Sequence, residues 1–274
     1  MRRCTLRGLS AIGLAAVTAA CAGLAPAPAF KPWTNFYDHP KGYLAPGAAP
    51  RAEAILPGPP AKGSPREAVD VAAYRATRRL EGTSRWTLAA RDADIDTPRS
   101  PDALACALGV EIDPARAPTL ATLLGRVMSD VDASLRGAKT VFARPRPFVT
   151  QDAPICVARE EWLVKSGSYP SGHAATGWTW SLILGELAPD RADALHRRAL
   201  AYGDSRVVCG VHYLSDVEAG RVVGAAVTAR LHTDPGFRAD FARAGRELAA
   251  LRAASGTVIA RCPAETEALS KPAF

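Results

Sequence analysis

Apolar residues recur along this chain at intervals of three and four, and strand-like alternation is scarce, so the pattern predicts helices. The clearest run spans residues 116–138, where Leu120, Leu123, Leu124, Val127, Met128, Val131 and Leu135 share one face. Residues 174–187 are apolar nearly all round, which predicts a central, buried helix. Ser64-Pro65-Arg66-Glu67 supplies a capping hydroxyl, a first-turn proline and a glutamate three positions on, so a helix should run over 64–81. Further helices are expected over 84–94, 189–209, 217–231 and 236–253, with a break at 210–214 and Ser215 or Asp216 capping the helix that follows. Arg144-Pro145-Arg146-Pro147 should force residues 139–148 out of helix. The expected architecture is all-α, a single-domain helical bundle over residues 65–254. Residues 30–64, rich in Pro, Gly and Ala, read as an extended arm pinned by Trp33, Phe36, Tyr37 and Tyr43; residues 255–274 read as a C-terminal tail.

The first 29 residues break this pattern. Arg2, Arg3 and Arg7 precede an apolar stretch over residues 9–24, and Ala27-Pro28-Ala29 offers a small-x-small cleavage site. This is the layout of a secretory signal peptide. Cys21 raises a lipoprotein anchor as a lesser alternative, although Thr18 sits where a leucine is usual. No other stretch is apolar enough to span a membrane: residues 166–185 lack charge but contain Pro170, hydroxyls and glycines. An exported protein is expected, periplasmic or secreted.

Cleavage takes three arginines from 34 basic residues and leaves 27 acidic ones, so the mature chain is only mildly basic. Such a charge does not imply a nucleic-acid partner. Four cysteines remain after cleavage: Cys106, Cys156, Cys209 and Cys262. An even number in an oxidising compartment suggests two disulfides, with three possible pairings. No Cys-x-x-Cys spacing supports a metal site.

Chemistry concentrates in three stretches. Lys139 precedes Arg146-Pro147; Pro170-Ser171-Gly172-His173 opens the central helix; Ser205-Arg206 is followed by His212 and Asp216. A helix N-terminus with a capping serine and a glycine suits an anion. Arginine adds bidentate contacts to phosphate oxygens and lysine a point charge. Read singly, each stretch has an ordinary explanation: Arg144 and Arg146 as surface charges beside prolines, His212 as a core histidine, Asp216 as a helix cap. Together they hold three cations, a hydroxyl, a glycine amide, two histidines and a carboxylate, the inventory of phosphoryl transfer. His39, His196 and His232 lack such company and read as surface or packing residues; Trp178 and Trp180 read as core.

In this order the stretches resemble the signature of the type 2 phosphatidic acid phosphatase superfamily: Lys-x6-Arg-Pro, Pro-Ser-Gly-His, Ser-Arg-x5-His-x3-Asp, matched without substitution. Gly167-Ser168-Tyr169, the run from Ser205 to Gly210 and Leu231-His232-Thr233 are similar to the secreted class A bacterial non-specific acid phosphatases, over roughly residues 40–250. The resemblance implies His212 as nucleophile, Asp216 as the acceptor of its other ring N–H, and His173 as general acid. It implies Lys139, Arg146, Ser171, Gly172 and Arg206 as the phosphate cradle, with no metal and no cofactor, although phosphate or vanadate would fit the site. It further implies hydrolysis of many small phosphomonoesters through a phosphohistidine, room for phosphotransfer to alcohols, no membrane contact after cleavage of the leader, and a homodimer.

If Arg146 and Arg206 grip one phosphate, the segments that follow them converge. That favours Cys156 with Cys209, leaving Cys106 with Cys262. One departure stands out. Where relatives often carry Ala-Glu-Asp-Ala, this chain has Ala90-Arg91-Asp92-Ala93; if the position borders the pocket, Arg91 favours more anionic esters. Three other readings compete. A lipid or lipid-carrier phosphatase would carry the same site, but such enzymes usually span the membrane and no stretch here reads as a span. A vanadium-dependent haloperoxidase shares such a site, and a non-enzymatic phosphate binder would keep the cradle, though it has no need of both histidines and the carboxylate.

Overall fold

The computed structural model of the 274-residue chain describes residues 30–33, 38–151, 153–254 and 259–274. The expected leader at 1–29, and Phe36 and Tyr37 of the arm, lie outside the described residues. Regular structure in the described residues is helical throughout, without a strand. A one-turn helix α1 (Ala52–Ile55) lies within the arm, and α2 (Pro65–Arg78) and α3 (Ser84–Arg91) follow. A 3₁₀ turn (Ser100–Leu104) leads into α4 (Ala105–Leu108) and the long α5 (Pro118–Phe142). Short helices α6 (Pro147–Thr150) and α7 (Glu161–Lys165) precede α8 (Gly172–Leu187), α9 (Ala192–Val208), α10 (Leu214–Leu231), α11 (Pro235–Ala253) and α12 (Cys262–Leu269).

Helix α8 is the centre, as its all-round apolarity predicts. It packs against α9, α10 and α5. Glycines make the approach possible. A Cβ on Gly220 of α10 would lie 2.4 Å from the Ser171 carbonyl oxygen, one on Gly224 2.6 Å from that of Ala175, and one on Gly177 2.3 Å from the Tyr202 ring of α9. On its third side, buried Trp180 donates its indole N–H to the Leu124 carbonyl of α5 at 3.1 Å.

Two expectations need correction. Helix α5 does not stop near residue 138 but continues to Phe142. A proline disfavours helix only in the residue before it, so Pro145 leaves room for one more turn. Ala143, in the left-handed region at φ 41°, ends the helix. Lys139 therefore rides on the last turn of a rigid helix. The C-terminal segment, in turn, is not merely a tail. Its α12 buries Glu265, which accepts from Arg198 of α9 at 3.0 Å and Arg91 of α3 at 2.7 Å. Arg198 also forks onto buried Asp92, at 2.6 and 3.2 Å. Arg91 is thus paired with buried Glu265.

Cys106–Cys262 and Cys156–Cys209 pair at bonding distance, with Cα atoms 5.5 and 4.7 Å apart. This is the favoured pairing. The first ties α12 to α4; the second ties the loop after α6 to the end of α9, where the Cys156 N–H also bonds the Cys209 carbonyl at 3.0 Å. Trp33 and Tyr43 are buried, so the arm docks through aromatics.

Candidate active site

Four helix ends meet beside α8. The last turn of α5 brings Lys139. The extended residue that caps α6 is Arg146, and the end of α9 brings Arg206. The turn before α10, with Gly210 at φ +84°, brings His212. All eight candidate residues fall in this one region. Arg146, Ser171, Arg206, His212 and Asp216 are buried, while Lys139, Gly172 and His173 are partly exposed.

Lys139 and Arg146 are held by protein acceptors, and all three cations are poorly solvated. Lys139 donates to the carbonyls of Gly167 and Pro170, each at 3.0 Å. Burial, then the charge of Arg146, lowers its pKa to about 7. Arg146 donates to the Ser166 carbonyl and hydroxyl and to the Val211 carbonyl; burial and Arg206 bring its pKa to about 10. Arg206 is 3% exposed, yet its Nε and Nη1 have no hydrogen-bond partner in the protein. Burial brings its pKa, too, to about 10. A buried, charged donor left unpaired is expensive, and an oxyanion is the group that would satisfy it.

His212 has a defined tautomer. Arg146 Nη1 donates to its Nε2 at 3.0 Å, so Nε2 carries the lone pair. Nδ1 carries the proton, near Ser168 Oγ at 3.3 Å and Asp216 Oδ2 at 3.4 Å. Burial, followed by Arg146, Lys139 and Arg206, keeps the ring neutral by pushing its pKa well below 6.5. His173 donates Nε2–H to the Ala93 carbonyl at 3.0 Å, which leaves Nδ1 as the nitrogen available to a ligand. Its pKa is likewise lowered well below 6.5, by burial first and Arg206 second. Tyr202 stacks alongside it at 6.4 Å.

Ser171 caps α8, its Oγ accepting from Ala174 N at 3.4 Å and its N–H donating to the Asp216 carbonyl at 2.9 Å. A Cβ at Gly172 would meet only Leu135, at 3.7 Å. Protein packing therefore does not demand glycine there, and the first-turn N–H groups of α8 have no partners within a helix. Ser205, the serine of the Ser-Arg pair, is structural: it donates to Asp92 at 2.6 Å and accepts from Arg85 at 2.9 Å.

Sequence reasoning missed a shell of supporting residues. Asp216 is held by Arg144 Nη1 at 2.6 Å, Ser168 Oγ at 2.5 Å and the Tyr213 N–H at 2.8 Å. The last bond belongs to a capping box: α10 begins at Leu214 with Tyr213 as its N-cap, so Asp216 sits in the first turn, and the expected cap at Ser215 or Asp216 of a helix from 217 is corrected by three residues. Arg144, read as a candidate surface charge, is 10% exposed and also binds Asp70. Gly167-Ser168 carried a signal, since that pair was part of the resemblance. Asp70 and the Ala93 carbonyl had none. Among the described residues no group of three or more His, Cys, Asp or Glu is arranged to hold a metal ion.

Residues 119–239 match the PAP2 superfamily. The chain is 41% identical over 224 residues to an acid phosphatase of Zymomonas mobilis, covering 81% of this chain and 80% of that protein. It is 38% identical over 212 residues to a non-specific acid phosphatase of Providencia stuartii, covering 77% and 86%. Among solved structures, a bacterial vanadium-dependent iodoperoxidase superposes with a TM-score of 0.47 at 18% identity, over 66% of this chain and 54% of that one. Similarity of that extent to the two phosphatases, together with the complete three-part signature gathered at one helix cluster, places this chain in the non-specific acid phosphatase family of the PAP2 superfamily.

Proposed function

We propose that this phosphatase hydrolyses small phosphomonoesters of many kinds through a phosphohistidine on His212, without a metal, after export from the cytoplasm. The observation that carries the reading is the pair of buried, partnerless donors on Arg206. They supply the charge and geometry an equatorial phosphoryl oxygen needs. Lys139, Arg146, Ser171 and the Gly172 N–H complete the cradle.

As Arg146 Nη1 turns from His212 Nε2 to a phosphoryl oxygen, the freed lone pair of the neutral Nε2 attacks phosphorus and the P–O bond to the leaving alcohol breaks. The ring becomes a phosphoimidazolium, and Asp216, facing Nδ1–H, stabilises its charge. His173 gives its Nδ1 proton to the departing oxygen. Water then attacks phosphorus, returns a proton to His173, and frees His212 and inorganic phosphate. In the free site burial and Arg206 keep His173 deprotonated. An incoming phosphate offsets Arg206, so His173 takes up its proton with the substrate. A cradle that grips only the phosphate leaves the alcohol unselected, which supports breadth. The leader-like residues 1–29 and the two cysteine pairs support export.

Hydrolysis of p-nitrophenyl phosphate by the wild type and His212→Asn tests this. The wild type should turn over without added metal and give an alkali-stable, acid-labile phosphoenzyme; the variant should do neither. Comparable turnover by a folded His212→Asn protein would remove the nucleophile assignment.

A further inference from the structure

The cluster beneath Asp216 is more than packing. Asp70 of α2 accepts from the Ser215 N–H at 2.8 Å, from Ser215 Oγ at 2.5 Å and from Arg144 Nη2 at 2.8 Å. Arg144 reaches on through Nη1 to Ser215 Oγ at 2.9 Å and Asp216 Oδ1 at 2.6 Å, and its guanidinium lies 4.1 Å above the Tyr213 ring. Its own carbonyl accepts from the Ser168 N–H at 2.8 Å, and Ser168 Oγ touches both Asp216 and His212. The side chains form a chain of alternating charge: Asp70, Arg144, Asp216, then the ring of His212. Asp70 is 1% exposed and Asp216 fully buried, so water screens these charges little.

We propose that Arg144, held between Asp70 and Asp216, is a positioning residue that sets how strongly Asp216 supports positive charge on His212. Arg144 aims the carboxylate with a short bond and draws on its charge; Asp70 partly cancels the arginine and returns charge to Asp216. The longer His212–Asp216 distance of 3.4 Å fits a carboxylate whose nearest donors are Arg144 and Ser168. The inference rests on His212 being the nucleophile.

Other charged or titratable groups also face this pair. His212 feels Lys139 from α5, Arg146 from α6, Arg206 from α9 and His173 from α8. Asp216 is within electrostatic reach of Lys139, Arg146 and Tyr169. None of these is altered by changes at residues 70 and 144, so the two sites carry opposite signs. Losing the Asp70 carboxylate makes His212 less basic; losing the Arg144 cation makes it more basic. The nucleophile must be deprotonated at Nε2, so the acid limb of kcat/KM follows the His212 pKa in the free enzyme.

The experiment compares pH profiles of kcat/KM for the wild type, Asp70→Asn, Arg144→Gln, Arg144→Lys and Ser215→Ala on one aryl phosphate, whose own titration is common to all. Circular dichroism and thermal unfolding establish folding, and ¹⁵N-histidine NMR follows the ring directly. The acid limb should fall by about half a unit or more in Asp70→Asn and rise by a similar amount in Arg144→Gln. Arg144→Lys, which keeps the cation, should restore the limb's position, and Ser215→Ala, which keeps all three charges, should leave it in place. Folded Asp70→Asn and Arg144→Gln proteins whose limbs coincide, or move together, would overturn the proposal. If Asp70→Asn does not fold, an unmoved limb in Arg144→Gln does the same. Absence of a phosphoenzyme in the wild type would instead remove the reading on which it rests.

Discussion

Replacing Arg206 by methionine separates a stability effect from a catalytic one. The arginine is buried, and two of its donors have no partner. Burial pulls its pKa down from the usual arginine range to about 10. A base whose folded pKa is depressed weighs against folding wherever it stays charged, which here is below about pH 10. At roughly 1.4 kcal/mol per unit the shift corresponds to ~3 kcal/mol of disfavoured charge, an upper bound because the arginine stem also packs. Methionine retains much of the stem and removes the charge. The folded, ligand-free protein should therefore unfold at the same temperature as the wild type or higher. Catalysis should move the other way. Two charge-assisted hydrogen bonds of about 1.5–3 kcal/mol each are lost from the transition state, which lowers kcat/KM by ~10²–10⁴. Calorimetry with and without inorganic phosphate, alongside steady-state kinetics, reads both quantities. The wild type should gain about 3 kcal/mol at a hundredfold excess over its Kd, and the variant little at the same concentration. A variant that melts several degrees lower while keeping kcat/KM within tenfold would refute this account of Arg206.

Three further outcomes follow from the geometry. Lys139, with its pKa near 7, is a cation below that value and neutral above it, so KM for phosphate esters should rise as pH passes from 6 to 8, and Lys139→Arg should flatten the rise; a pH-independent KM in the wild type would contradict it. Gly220→Ala places a Cβ 2.4 Å from the Ser171 carbonyl oxygen, so it should destabilise by about 1–3 kcal/mol and slow turnover by shifting the start of α8, measured by denaturant titration and kcat. Cys156→Ser with Cys209→Ser removes a link across 53 residues and should cost ~2–4 kcal/mol, visible as a lower denaturant midpoint.

The parts that sequence revealed were those with local periodicity or local spacing. Helix α8 was legible because its apolarity runs all round, and the α2 start because Ser64, Pro65 and Glu67 are neighbours. The candidate site residues were legible because each motif is short. Contacts between distant segments left no such trace. Arg144 sits directly before Pro145 and reads like a surface charge, and its partners Asp70 and Asp216 lie 74 and 72 positions away. Lys139 seemed to lie beyond a helix because Pro145 was read as acting further upstream than it does. Helix α12 has eight residues, too few for periodicity to declare, and what holds it is a disulfide and a buried carboxylate whose partners are remote.

That last helix bears on the order in which the protein can be finished. Glu265 leaves the ribosome 67 residues after its partner Arg198, and Cys262 leaves it 156 residues after its partner Cys106. Until they arrive, Arg198 has half its carboxylates and α3, whose trailing loop holds His173 through Ala93, lacks its outer clamp. Contacts this distant in sequence form late. His173 therefore gains the last of its support only after α12 has docked and, since Cys262 must be oxidised to join Cys106, only where disulfides can form.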